Sequence, residues 1–218
     1  MEKQNTFNKI FWYFVALYAS AVAFNSCYSK KQILTTDDGV IINGVKWATR
    51  NVNTPGTFAE NSENSGMFYQ WNKKVGWSST DPMINSNGNT VWSDTEADDS
   101  IWEKKNDPCP AGWRVPTYEE MQSLLDFNKI NYLWTTKNGV CGRVFYDMES
   151  EASLFLPAVG YRRERGEMGG NTIWEGYYWS SSTENGSNAR FLFFHSFNLK
   201  TYLSYSRAYG CCVRCVAK

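Results

Sequence analysis

The stretch NDPCPAGWRVPTYEEMQSLL, Asn106 to Leu125, instructs its own backbone more closely than any other part of this chain. Pro108 and Pro110 fix φ on either side of Cys109, and Gly112 permits a tight bend before Trp113. Thr117 and Glu120 then have the spacing of a capping box, in which side chain and backbone satisfy each other's free N–H groups at a helix start. Tyr118, Met121 and Leu125 recur at i, i+3 and i+7 with Leu124 beside them. This spacing predicts an amphipathic helix lying on a core. Gln122 takes the i+4 place, so the stripe is short.

On both sides of that helix the pattern is that of strands. Gly39 to Val52 alternates apolar and polar residues around Asn43-Gly44, which reads as a β-hairpin with a tight turn. Gly66 to Trp71 is an aromatic cluster. Ser78 to Ser100 is polar and carries Asp94, Glu96, Asp98 and Asp99. It lacks the spacing of an EF-hand and reads as a solvated loop. Asn138 to Phe145 gives a turn and a strand, and Leu154 to Pro157 a short strand ended by its proline. Tyr161 to Glu175 is charged and aperiodic, hence a long exposed loop. Tyr177 to Ser180 returns to strand, and Ala189 to Phe194, apolar on both faces, predicts a central one. Tyr202 to Tyr205 and Cys211 to Val216 supply the last strands. Hairpin, helix, then antiparallel strands with long loops predict one α+β domain.

The 218 residues contain 22 basic and 22 acidic side chains, so no broad electrostatic attraction to nucleic acid or anionic membrane is expected. Ten Trp, 13 Tyr and 13 Phe let a loop-rich chain assemble a core from large rings. Lys3 and Lys9 precede the apolar run Ile10 to Phe24, which is short for a membrane span and suits a signal peptide over residues 1–26. Ala21-Val22-Ala23 has the form of an ordinary cleavage site. Phe24-Asn25-Ser26-Cys27 resembles a loose lipoprotein box in which Cys27 is the lipid-attachment residue, and a cysteine directly after such a run favours that reading. Residues 27–38 then form a tether and 39–218 the domain. An exported chain is exposed to oxidising conditions. With Cys27 acylated, five of the six cysteines remain, an odd number. Zinc at Cys212-x-x-Cys215 lacks nearby partner ligands, so no metal is expected.

GVKWATRNV (Gly44 to Val52), GMFYQW (Gly66 to Trp71), DPCPAGWRVPTYEE (Asp107 to Glu120), NGVCGRVF, LFLPAVGYR (Leu154 to Arg162), YYWSSS (Tyr177 to Ser182) and VRCVAK (Val213 to Lys218) follow one another in order. The series resembles the Fibrobacter succinogenes major paralogous (FISUMP) domain from about Gly39 to Lys218. The resemblance implies a C-type-lectin-like (sulfatase-modifying-factor-like) α+β fold with short antiparallel strands, at least one amphipathic helix and long loops. It also implies exported lipoproteins and tip or accessory modules of surface appendages in Gram-negative bacteria. Cys109 and Cys215 match the family's two characteristic cysteines, which implies a disulfide between them. Cys141, Cys211 and Cys212 depart from the pattern. A second bond from Cys141 to Cys211 or Cys212 stays open, and a Cys211–Cys212 bond strains the backbone.

The catalytic readings find little to build on. The redox cysteine pair of formylglycine-generating enzymes has no counterpart upstream of the terminal motif. His195, the one histidine, follows an apolar strand and reads as structural. A carboxylate-dependent hydrolase needs two acids, and nothing singles out a pair. The Glu-Pro-Asn, Gln-Pro-Asp and Trp-Asn-Asp motifs of calcium-dependent lectins do not occur. Arg162, Arg163, Arg165 and Trp174 offer planar donors and a stacking surface for a calcium-free ligand site. The expectation is a non-catalytic recognition or adhesion module without cofactor, held to the membrane by a lipid anchor. Its place is the outer membrane or cell surface, alternatively the periplasm. Its partners would be a glycan or the subunits of a surface fibre, of which it would otherwise be a structural or tip subunit.

Overall fold

The computed structural model describes residues 34–218, apart from 94, 96–99, 171, 172 and 202 and the side chain of 185. The signal peptide (1–26), Cys27, the tether as far as residue 33 and the acidic run Asp94, Glu96, Asp98 and Asp99 lie outside the described residues. The end of the expected tether does not hang free. The Asp37 side chain is almost wholly buried and accepts from the Gly39 and Thr49 amides, the Thr49 hydroxyl and Arg50 Nε, while the Leu34 carbonyl accepts from the Phe58 amide.

Asn43 and Gly44 both sit at positive φ, 47° and 77°, as a tight hairpin turn demands, and they join β1 (Val40–Ile42) to β2 (Val45–Trp47). The last strand, β16 (Val216–Ala217), lies between β2 and β5 (Trp113–Arg114), so the two ends of the described chain meet in the sheet β1-β2-β16-β5. A second sheet runs β10-β9-β15-β3-β4. It comprises β3 (Met67–Gln70), β4 (Gly76–Ser78), β9 (Tyr161–Arg162), β10 (Met168–Gly169) and β15 (Gly210–Cys211). A third holds β6 (Ile130–Lys137), β7 (Val140–Asp147) and β8 (Ser153–Pro157). Pro157 is tolerated because β8 is an edge strand, where a missing N–H breaks no ladder.

The apolar run ARFLFF lies within β12 (Asn188–His195), which is central as its two-sided hydrophobicity predicts. It pairs with β11 (Glu175–Asn185) on one side and with β13 (Asn198–Lys200) and β14 (Ser204–Ser206) on the other.

The capping box forms: Thr117 accepts from the Glu120 amide, and Glu120 accepts from the Thr117 amide. The helix it starts, α1, spans only Tyr118–Ser123, and it is the one α-helix among the described residues apart from the two-residue stub at Leu34. The expectation of an α+β, C-type-lectin-like domain is therefore corrected: the fold is β-rich. The physical reason is the missing i+4 residue. Met121 and Leu124 reach the core, but after them the chain turns at Asp126 and enters β6. The long exposed loop expected over 161–175 is also corrected in part, since β9 and β10 pair there.

Three clusters make the core. The largest joins Ile42, Trp47, Met121, Leu124, Phe145, Tyr178 and Phe194. A second, with Phe58, Trp113 and Val213, surrounds Cys215. The third is aromatic: Trp71, Tyr161, Tyr177, Trp179 and Phe191.

Candidate functional site

Cys109 and Cys215 are joined in a disulfide, with Cα atoms 6.1 Å apart. Cys141, Cys211 and Cys212 are free thiols, so the second bond is not formed. The fold keeps them apart. Cys141 lies at the start of β7 beside Thr136, Cys211 packs in the aromatic cluster, and Cys212 points into the largest cluster toward the Ser65 carbonyl. Burial pushes the Cys211 thiol well up and that of Cys212 up to about 12, which leaves both as inert packing groups. The single His195 is hydrogen-bonded, its Nδ1 accepting from the Phe197 amide at 3.1 Å.

The four residues expected at a ligand site separate. Arg162 is 1% exposed. Its guanidinium donates to the carbonyls of Ser78 (2.8 Å), Thr80 (2.7 Å) and Gly166 (2.6 Å) and to Asp81 Oδ1 (3.2 Å), which leaves nothing for a ligand. Arg165 is exposed at the β9–β10 turn. Trp174 stacks on Trp134 of β6, centroids 6.2 Å apart. Arg163, exposed on the turn after β9, stands beside a further surface.

That surface is a shelf of tyrosines. Tyr161 comes from β9, Tyr177 from β11, Tyr205 from β14 and Tyr209 from the approach to β15. Their rings meet at 4.5 Å (161–177), 5.4 Å (161–209), 5.0 Å (205–209) and 6.0 Å (177–205). Tyr161 and Tyr177 form the nearly buried floor, while Tyr205, Tyr209 and Phe193 are half-buried at its edge. Glu175 accepts from the Tyr177 hydroxyl at 3.0 Å, and the Arg163 guanidinium lies near enough to the Tyr161 phenol to act on it electrostatically. The adjacent Gly169 and Gly170 let the backbone lie against the shelf. A Cβ on the first would come within 2.7 Å of the Tyr161 ring, and on the second within 2.7 Å of Glu175 Oε2.

Burial, the largest cause at each, raises the pKa of all four phenols, and their mutual proximity and neighbouring acids add to it. At neutral pH the shelf therefore presents uncharged hydroxyls that donate and accept, beside one carboxylate and one guanidinium. Such a set is poor in bases and rich in stacking faces and hydrogen-bond groups. Nothing in sequence spacing links residues 161, 177, 205 and 209; only the strand order brings them together. No protein-family model, curated protein or solved structure matches the chain.

Proposed function

We propose that this chain is an exported, lipid-anchored recognition module of the cell envelope whose tyrosine shelf binds a polyhydroxylated, glycan-type ligand without turning it over. The observation that carries the reading is the convergence of four neutral phenols with Glu175 and Arg163 on one face. Flat rings stack on the C–H faces of a sugar, while the hydroxyls, carboxylate and guanidinium match its ring of donors and acceptors. The export signal, the position of Cys27 and the FISUMP-like motif series support the envelope location.

Retention of the mature protein on a glycan array tests it. Tyr209→Phe and Arg163→Ala each remove a polar contact from a rim position. Each should weaken the retained ligand about tenfold, the equivalent of one hydrogen bond, while the thermal midpoint stays put. Retention that survives both changes, or an array without any retained glycan, overturns the reading.

A further inference from the structure

A second surface, separate from the shelf, is built around the turn between β12 and β13. Phe197 at its tip is 94% exposed, yet the backbone that carries it is held from behind. Arg143, 3% exposed on β7, reaches out of the core and donates through Nη2 to the carbonyls of His195 (2.5 Å), Ser196 (3.4 Å) and Asn198 (3.4 Å). The Phe197 amide is fixed by His195 Nδ1. A buried guanidinium spent on one turn fixes the direction in which that turn points, which a merely solvated turn does not require.

The same side carries further exposed apolar groups. Arg143 lies over the Tyr132 ring at 4.7 Å, and Tyr132 meets Phe127, 64% exposed, at 5.7 Å. Glu175 pairs with His195, so Trp174, one residue earlier and 44% exposed, flanks the turn while its ring rests on Trp134. Phe127 rests on Tyr132 and Trp174 on Trp134, and the turn that carries Phe197 is held by Arg143, whose guanidinium lies over the same Tyr132 ring.

We infer that this face rests on a phospholipid surface, with Phe197 and Trp174 inserted at the headgroup level. The inference rests on the reading of Cys27 as the acylated residue. From Cys27 to Leu34, where the chain joins the domain, seven residues span at most about 25 Å. A tether of that length keeps the domain beside the bilayer rather than out in solution. Rigidly presented Trp and Phe side chains are the types that partition into the interface.

The experiment uses the acylated full-length mature protein on vesicles of phosphatidylethanolamine and phosphatidylglycerol with brominated acyl chains. Flotation and intact mass report the anchor. The difference in tryptophan quenching between the wild type and Trp174→Phe reports the face. Quenching of Trp174 is expected, together with its reduction in Phe197→Ser, whose exposed site leaves the thermal midpoint unchanged. A protein that floats through its acyl chain while Trp174 stays unquenched overturns the insertion and leaves the anchor intact. Failure to float, with an unmodified Cys27, overturns the anchor and the inference with it. Trp174 shielded only when another envelope protein is added makes this a protein-docking face, which also overturns insertion.

Discussion

Arg162 and Arg165 look equivalent in the run YRRERG, and the backbone makes them opposites. Arg162 falls on β9, where alternation turns its side chain inward to tie down the 78–81 segment. Arg165 falls in the following turn, in solvent. Arg162→Met removes the donors of three carbonyls and one carboxylate and should lower unfolding free energy by about 2–4 kcal/mol in urea titration. Arg165→Ala should stay within about 0.5 kcal/mol of the wild type. Equal effects would mean that the clamp is not made in solution. Charge and planarity, all that a sequence offers at such residues, signal a buried structural arginine and a ligand-binding one alike. Arg143 and Arg214 are further cases. Arg214 is fully buried, donating to Asn51 Oδ1 and the Ala48 carbonyl.

Elements were legible wherever local chemistry decides them. Asn43-Gly44 announces its hairpin because few other pairs accept positive φ at both turn positions. Thr117 and Glu120 announce a helix start because the box satisfies free amides within four residues. How far that helix runs is a tertiary matter, and it stops after six residues. A helix so short has little propagation to offset nucleation, so the cap carries much of its stability. Thr117→Ala should therefore cost about 1 kcal/mol, visible as a lower urea midpoint. Glu120 also pairs with Arg114 at 2.6 Å, so Glu120→Ala should cost more than Thr117→Ala. An order reversed from this would show that the ion pair contributes nothing beyond the cap. The tyrosine shelf was illegible for the complementary reason: its rings arrive from β9, β11, β14 and the approach to β15, and such long-range convergence has no period in the chain.

At the scale of the whole molecule, the disulfide and the sheet β1-β2-β16-β5 close the same large loop twice. Cys109 precedes β5 and Cys215 immediately precedes β16, and β5 and β16 are paired strands. The 106-residue separation encloses α1 and every strand from β5 to β15. In the native state the bond adds little that strand pairing does not already fix, so its contribution should lie mainly in the unfolded chain. A loop of that length loses closure entropy equivalent to about 4–5 kcal/mol when cross-linked, comparable with the net stability of a whole domain. The Cys109→Ala/Cys215→Ala double variant should therefore show a much lower urea midpoint. It should also show a steeper denaturant slope, because its unfolded chain exposes more surface than the cross-linked one. Packing loss alone would lower the midpoint and leave the slope unchanged, since Cys215 is fully buried among Ala48, Val52 and Phe58. The slope therefore separates the two causes, and an unchanged slope would place the work of the bond in the folded core.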